Sequence, residues 1–427
     1  MRFFKLFFIL ILINAQAQAQ VEISGEYRPR FQMRNGVFRL PAPNEDPSIY
    51  IAQRTRINLH YQHQDLFTTH FSIQDVRVWG DQNQLVDEPS LGVFEAWAEM
   101  KLIDKLSLKA GRQELLYDDG YLLGTLNWRE AGRSHDLGIF KWQDSTLQAP
   151  FQAHLGLAFN ADRAMLFDEP FTNDYYKYMQ FLWLHKDYEK LSLSFMGINH
   201  GLQRIEPDTV VKYTQTLGGN LKYFGKGFTL HAIGYYQMGE DLQSRDVNAY
   251  FWSLKGEWKS TEKLKILVGA DILSGTPDGL LNNPNNTRNN TFDILYGFRH
   301  RHFGIMDYFY LGYTPPAGLN DIMLKFTYQH SEKFTSKLDF HNFSSQANVP
   351  DPTLVNTDLT SQLGLEVDYH FTYKPYEMLT VQGGYSHMFG SEALAYLKGG
   401  SESELANWFW LQVSLKPVFF RGDMKKQ

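Results

Sequence analysis

The chain has 427 residues, no cysteine, a formal net charge of −6, and aromatic side chains at 15% of its positions. The lack of cysteine excludes a disulfide framework and thiol chemistry. The mildly acidic balance argues against a general nucleic-acid binder, so we expect no nucleic acid among its partners.

The N-terminal stretch MRFFKLFFILILINAQAQAQ combines basic residues, a short apolar run, and small residues at Ala17 and Ala19. This is the pattern of a secretory signal peptide, and the apolar run is too short to cross a bilayer as a helix. We therefore expect residues 1–19 to be cleaved and residues 20–427 to form the mature protein outside the cytoplasm.

Polar and apolar side chains alternate along most of the mature chain. Between Glu22 and Arg34 the even-numbered positions are polar or charged, whereas the odd-numbered positions are mostly apolar. A period of two is typical of β-strands with two different faces, and helical periodicity would not separate these sets. We count eighteen such runs, at residues 22–34, 54–61, 66–79, 92–103, 105–115, 133–143, 150–160, 175–186, 190–200, 211–224, 226–238, 247–259, 262–274, 319–331, 334–344, 359–373, 378–389 and 406–419.

The connections between the runs alternate between short and long. Tight turns such as 62–65 and 332–333 follow every second run, and long polar loops such as 35–49, 116–132 and 275–318 follow the others. Short periplasmic turns and long external loops give this pattern in outer-membrane barrels, whose outer surface contacts lipid. The sequence therefore predicts an all-β fold, a single transmembrane antiparallel β-barrel of about 18 strands in a Gram-negative outer membrane. The 275–318 loop is long enough to fold over the pore mouth or into the lumen.

Arginine is concentrated in the first third of the chain, where ten of the eighteen arginines but only three lysines lie between residues 21 and 140. Arg28, Arg30, Arg54 and Arg56 occupy polar positions of the first two runs, which are adjacent strands, so they should form one ladder on the inner wall. The ten are Arg28, Arg30, Arg34, Arg39, Arg54, Arg56, Arg77, Arg112, Arg129 and Arg133.

Two interpretations of this arginine ladder stay open. A guanidinium group presents a fork of donors that matches a carboxylate, so an arginine-rich wall suits an anionic, carboxylate-bearing solute. Alternatively, the arginines pair with carboxylates of the barrel itself and only neutralise the charges of the inner wall. Both interpretations can hold together. The candidate internal partners are Glu22, Glu26, Glu95, Glu99 and Glu114.

Signals for catalysis are weak. His135 and Asp136 are adjacent, but a Gly-x-Ser-x-Gly nucleophile sequence does not occur in the chain. Asp118 and Asp119 are successive residues, which would point to opposite faces of an extended segment and do not make a glycosidase pair. We expect no enzyme activity and no cofactor, with an outer-membrane hydrolase as a less favoured alternative.

One stretch, residues 111–136 (GRQELLYDDGYLLGTLNWREAGRSHD), resembles the signature of the alginate-export family of outer-membrane barrels. There a GRQ strand end, an acidic loop, a Gly-x-x-x-Trp segment and Gly-Arg-x-x-Asp follow in that order. The segment 292–312 (FDILYGFRHRHFGIMDYFYLG) is similar to that family's long loop. The resemblance implies an eighteen-stranded barrel with an electropositive, arginine-lined conduit for a polyuronate. By match to the motif, the candidate constriction residues are Arg112, Glu114, Arg129, Arg133 and Asp136.

We therefore expect a porin that passes an anionic, uronate-type oligo- or polysaccharide such as alginate by facilitated diffusion. A general or small-carboxylate porin is the alternative, and a non-conducting structural barrel is less favoured. Besides the solute, such a pore would contact outer-membrane lipid and export or uptake partners in the periplasm. The expected solute path consists of Arg28, Arg30, Arg54, Arg56 and Arg77 together with the five constriction residues.

Overall fold

The computed structural model describes residues 19–424, apart from 86–87, 145, 147–148, 278–279, 281–282, 284, 310–315 and 355–356. The predicted signal peptide lies outside these residues except for Ala19, where the first strand begins. Within the described ranges, no helix is long and apolar enough to span a bilayer.

Antiparallel strands are the dominant secondary structure of the described chain. They are β1 (Ala19–Asn35), β2 (Ser48–His63), β3 (Phe67–Val78), β4 (Leu91–Ile103), β5 (Leu106–Gln113), β6 (His135–Asp144), β7 (Phe151–Phe159), β8 (Tyr178–Asp187), β9 (Leu191–Arg204), β10 (Val210–Gly225), β11 (Phe228–Glu240), β12 (Asp246–Lys259), β13 (Leu264–Leu273), β14 (Arg288–Asn289), β15 (Leu319–Ser331), β16 (Phe334–Ser344), β17 (Gln362–Tyr376), β18 (Leu379–Gly390), β19 (Ala406–Leu415) and β20 (Val418–Met424). Two short helices, α1 (Arg299–His302) and α2 (Glu392–Lys398), lie in loops.

The strands close into a barrel. β1 pairs with β2 on one side and with β19 and β20 on the other, and the last two are halves of one strand interrupted near Pro417. The two-residue β14 pairs in parallel with the end of β12 and does not extend the wall. The described residues thus form a closed barrel of 18 strands, which confirms the predicted fold.

Strand parity separates a lipid face from an inner face. In β1, Glu26 and Arg28 are 7% and 6% exposed inside the barrel, whereas Tyr27 between them is 40% exposed on the outer surface. Successive side chains of a strand point to opposite faces, so the alternation in the sequence becomes this division.

Two long loops fold into the barrel. The residues between β5 and β6 were predicted as an external loop, but Tyr121, Leu122 and Leu123 are only 1–3% exposed and belong to a buried cluster. The loop between β13 and β15 joins the same cluster through Phe292 and Met306, both fully buried. The physical reason is composition, because the first of these loops carries LLY and YLL segments that gain by leaving water.

Candidate functional site

The two inward-folded loops form one unit inside the barrel. Tyr296 of the β13–β15 loop and Leu123 of the β5–β6 loop make a parallel bridge, and the Tyr296 amide donates to the Leu122 carbonyl at 3.0 Å. A Cβ atom on Gly124 would lie 2.9 Å from the Phe298 amide nitrogen, so this close approach requires glycine. We call this unit the loop plug.

The predicted arginine ladder faces the barrel interior, but it binds the loop plug. The side chains of Arg28, Arg30, Arg54 and Arg56 are 2–7% exposed and contact the segment 127–131. Arg28 alone donates to three main-chain carbonyls of this segment, at 2.6, 3.3 and 3.0 Å. We call these four residues the arginine clamp. We expected these four arginines to line the solute path. In this conformation they do not, because they are buried against the loop plug.

Part of the clamp is also paired with carboxylates, as the internal-pairing interpretation required. Arg54 donates to Glu26 at 2.7 Å with both side chains buried, and Arg30 pairs with Glu130 of the loop plug. These carboxylates and the loop carbonyls together surround the buried guanidinium groups with hydrogen-bond acceptors. The arginines also bind main-chain carbonyls, and these partners were not predicted because a carbonyl is present at every residue and has no signature in the sequence.

Three predicted path residues lie on the outer face of the barrel. Lys109 and Gln113 line an interior cavity, so Arg112 has the opposite parity, and it pairs with Asp136 at 2.8 Å with side chains 41% and 54% exposed. Arg77 likewise lies on the outer face, where it pairs with Asp75 at 2.6 Å. Its neighbour on β3, Val76, is the register partner of Arg54 and faces inward, so Arg77 faces outward. Arg77, Arg112 and Asp136 are therefore not lumen residues, and the motif match had assigned them to the constriction without regard to parity.

The other three motif residues come together around the loop plug. Arg133 donates to the Tyr296 carbonyl and so ties the two loops to each other. The Glu114 carboxylate accepts from the Asn127 side chain at 2.5 Å inside the lumen, and Arg129 is exposed at the edge of the clamped segment. Burial, with repulsion from Glu95 as a second cause, raises the pKa of Glu114 to about 7.

A set of lysines occupies the inner wall below the loop plug, on the side of the short turns. Lys141 pairs with Glu99 at 2.8 Å, and Lys222 pairs with Asp119 at 2.5 Å. The four lysines of the set that make ion pairs keep 13–31% of their side chains exposed. We call the set the lysine girdle, which consists of Lys109, Lys141, Lys222, Lys255 and Lys325.

The lysine girdle was not predicted from the sequence, although a signal was present. Each lysine occupies the polar position of an alternating strand, for example Lys222 between Leu221 and Tyr223. Counting cations only up to residue 140 left four of the five lysines out. Parity applied to every strand would have found them.

Three lysines of the girdle, Lys109, Lys141 and Lys222, border a cavity of about 570 Å³ between β5 and β10, beneath the loop plug. This volume lies in the range of small-molecule sites, about 300–1,000 Å³. Trp183 and Phe224 supply apolar surface, and Gln152 and Asn220 supply amides. Cations, amides and aromatic rings around one water-filled space can bind a polar ring that carries a carboxylate.

Neither of the two residue pairs that the sequence offered for catalysis, His135 with Asp136 and Asp118 with Asp119, forms an acid–base dyad in the structure. His135 points into the barrel, where its Nδ1 lies 2.9 Å from the Tyr176 hydroxyl, whereas Asp136 is on the outer face. Asp118 and Asp119 both bind wall residues from the loop plug. Neither pair has the geometry of an acid–base dyad.

A sequence model of the alginate export family matches residues 19–403. The chain belongs to the alginate export family. A comparison with curated proteins finds no match.

The architecture is shared with solved outer-membrane barrels. OccK9 (OpdG) of Pseudomonas aeruginosa is 10% identical, with a TM-score of 0.62 over 93% of this chain and 98% of that chain. OccAB4 of Acinetobacter baumannii is 11% identical, with a TM-score of 0.61 over 95% and 100%. A BenF-like porin from Pseudomonas fluorescens Pf-5 is 12% identical, with a TM-score of 0.60 over 93% and 99%. At this identity the likeness shows the fold. Together with the family, it makes this alginate export family member a porin-like barrel of the Gram-negative outer membrane.

Proposed function

We propose that this barrel passes anionic, uronate-type oligo- or polysaccharides by facilitated diffusion. The observation that carries the proposal is the lysine girdle, because its ammonium groups are cations of the inner wall that stay within reach of water. An ammonium on a four-carbon stem is a mobile point charge, which suits a ligand that must bind and then leave. The arginine clamp supports the same path indirectly, since it positions the loop plug above the girdle.

The cavity beside the girdle favours a sugar over a simple anion. Trp183 and Phe224 offer apolar surface for a ring, and Gln152 and Asn220 offer both donors and acceptors for hydroxyl groups. A uronate ring combines these needs, because it carries hydroxyl groups and one carboxylate.

Single-channel conductance in planar bilayers tests the proposal. We expect an oligouronate to block the current in a concentration-dependent way and a neutral oligosaccharide of equal length to block it far less. Replacing Lys141, Lys222 and Lys255 by Gln should weaken the block roughly fivefold for each charge, since one such contact contributes about 1 kcal/mol in water. The matched control is Lys190→Gln at an exposed turn, which should leave the block unchanged.

Two results would sink the proposal: equal block by the neutral sugar, or cation selectivity at neutral pH. The absence of any steady conductance would instead indicate a non-conducting barrel. Turnover of ester or glycoside substrates by the refolded protein would overturn the expectation that it is not an enzyme.

A general or small-carboxylate porin is the second candidate. The ion pairs that the girdle lysines already make, such as Lys141 with Glu99, favour it because paired cations select anions weakly. Liposome swelling separates the candidates. Faster uptake of glucuronate than of both benzoate and neutral sugars supports the first, and equal uptake of glucuronate and benzoate, or of all three solutes, supports the second.

A further inference from the structure

We propose that Lys222 and His231 form a carboxylate-binding site that Asp119 of the loop plug occupies as a built-in substitute for the solute. An arriving uronate would then displace Asp119 and release the tip of the plug. The inference rests on the proposed function, because it takes the solute to be a carboxylate.

The geometry is that of a bound carboxylate with one donor for each oxygen. Lys222 Nζ lies 2.5 Å from Asp119 Oδ1, and His231 Nδ1 lies 3.0 Å from Asp119 Oδ2. The two donors are direct register partners on β10 and β11, so the barrel wall fixes their separation. Charge-assisted hydrogen bonds of this length are the strong class of protein hydrogen bonds.

The surroundings of His231 keep its ring oriented. Its other nitrogen, Nε2, faces the Asn220 side-chain oxygen at 3.3 Å, while the Asn220 amide nitrogen donates to Asp118 and Tyr235. Both ring nitrogens therefore face oxygen atoms that can accept a hydrogen bond. A wall built in this way holds its donors in place whether the carboxylate belongs to the loop or to a solute.

The site prefers an ionised carboxylate. Burial by itself would raise the pKa of Asp119, but the hydrogen bonds from His231 and Lys222 outweigh burial and hold its pKa below the usual value. A uronate carboxylate is ionised at neutral pH and so offers the same charge.

A solute can reach this site from the cavity. Lys222 lines the cavity and is 30% exposed, and Asp119 is 23% exposed. The exchange replaces one carboxylate with another, so it leaves the charge of the site unchanged. Asp119 is tethered to the barrel by its loop, and a group on a short flexible tether competes with a free ligand at an effective concentration of about millimolar. A monouronate should therefore act at tens of millimolar (roughly tenfold above this value), and an oligouronate with several carboxylates should act at less.

Displacement would free the tip and leave the rest of the loop plug in place. Besides the Asp119 carboxylate, the tip (residues 118–122) is held to the wall by Asp118, which accepts from Trp183 at 3.2 Å and from Asn220 at 3.0 Å. The Tyr121 hydroxyl donates to Asp271 at 2.7 Å and accepts from Lys255.

Within the plug, the Asp119 carbonyl lies 3.1 Å from His302 Nε2, and the Leu122 carbonyl accepts from the Tyr296 amide at 3.0 Å, a bond that movement of the tip would break. The segment 127–131 stays bound by the arginine clamp. The expected movement is thus confined to the part of the loop that borders the girdle.

Cysteine accessibility measures this movement directly, because the chain contains no cysteine of its own. Leu122 is 3% exposed, so a Leu122→Cys variant should react slowly with a membrane-impermeant maleimide. Sodium glucuronate at 100 mM is roughly a hundred times the effective concentration of the tethered Asp119 carboxylate. It should raise the labelling rate at least tenfold over the rate in glucose with a matched concentration of NaCl. In a Leu122→Cys/Asp119→Asn variant, labelling should be fast from the start and should not respond to glucuronate.

Two further variants keep the test decisive. Asp119→Glu retains a carboxylate and should label slowly, and Asp187→Asn removes another cavity carboxylate and should keep the parent behaviour. Heat modifiability, the difference in gel mobility between heated and unheated samples, checks that each variant is a folded barrel.

The outcomes separate this inference from the proposed function. Oligouronate block of the current without any change in labelling would overturn the inference and leave the proposed function standing. Fast labelling of the Asp119→Asn variant with no glucuronate response in the parent would also overturn it, because Asp119 would then be only a structural anchor. Glucuronate-dependent labelling in the parent, lost in Asp119→Asn, supports it.

Discussion

Replacing Arg28 by Met should release the clamped half of the loop plug. The Arg28 guanidinium donates to the carbonyls of residues 127, 128 and 129, and it is buried. Methionine fills a similar volume but removes all three of these hydrogen bonds. The carbonyls keep only their bonds to Arg30 and their longer bonds to Arg54. The barrel wall should stay intact, because the β1 main chain keeps its pairing with β2.

The size of the effect follows from the contacts. Two of the three hydrogen bonds are short, at 2.6 and 3.0 Å, and each is worth about 1.5 kcal/mol or more with a charged donor. The third, at 3.3 Å, roughly offsets the repulsion from Arg54 and Arg30 that the substitution relieves. The net cost of about 3 kcal/mol corresponds to a roughly 100-fold rise in the released population.

Labelling of a Leu126→Cys variant reports this population. Leu126 is 5% exposed beside the clamped segment, and its reaction rate with a maleimide follows the open fraction when opening and closing are fast. Arg77→Met is the matched control, since that arginine pairs with Asp75 on the outer face. A rate within a factor of about three of the parent for Arg28→Met, or an equal rise for Arg77→Met, would refute the reasoning.

Two further predictions concern charge in the lumen. Glu114, with a pKa raised to about 7, is neutral at pH 6 and ionised at pH 8, so anion selectivity should fall across this window. Reversal potentials should show a smaller fall between pH 6 and pH 8 in Glu114→Gln than in the parent, and an unchanged fall would contradict the assignment. Arg112→Ala should leave oligouronate block within about twofold of the parent because Arg112 faces outward to Asp136, and a loss as large as that of Lys222→Gln would show that the parity is wrong.

The barrel itself could be predicted from the sequence because its determinants are local. Alternation such as that from Glu22 to Arg34 encodes two faces directly, and the short and long connections encode the two ends. The inward folding of the β5–β6 loop could not be read in the same way. Its LLY and YLL segments become buried only because Tyr296 and its neighbours arrive from a loop about 160 residues later in the chain, and such partners leave no periodic signal.

The candidate site was predicted less completely, for two physical reasons. Arg28 and Arg54 were correctly placed inside the barrel, but main-chain carbonyls as their partners depend on the path of a loop. Arg112 and Asp136 were assigned by a motif, and a motif specifies order along the chain but not which face a side chain takes. For Lys222, in contrast, the alternation of the sequence does predict an inward-facing side chain. It was not included among the lumen cations because it lies far along the chain from the arginines.

The two kinds of cation in the lumen divide the work according to their chemistry. A guanidinium group has five donors in a rigid plane, so Arg28 can hold three carbonyls at once and keep a loop in a fixed position. An ammonium group is compact, strongly hydrated and mobile, so Lys222 can exchange one carboxylate for another without rearranging the wall. If the solute instead met the arginines, each passage would have to break the contacts that keep the loop plug folded. In the proposed function, binding at lysines that border the cavity avoids that cost, and it brings the anion next to Asp119, the residue that we propose a carboxylate displaces.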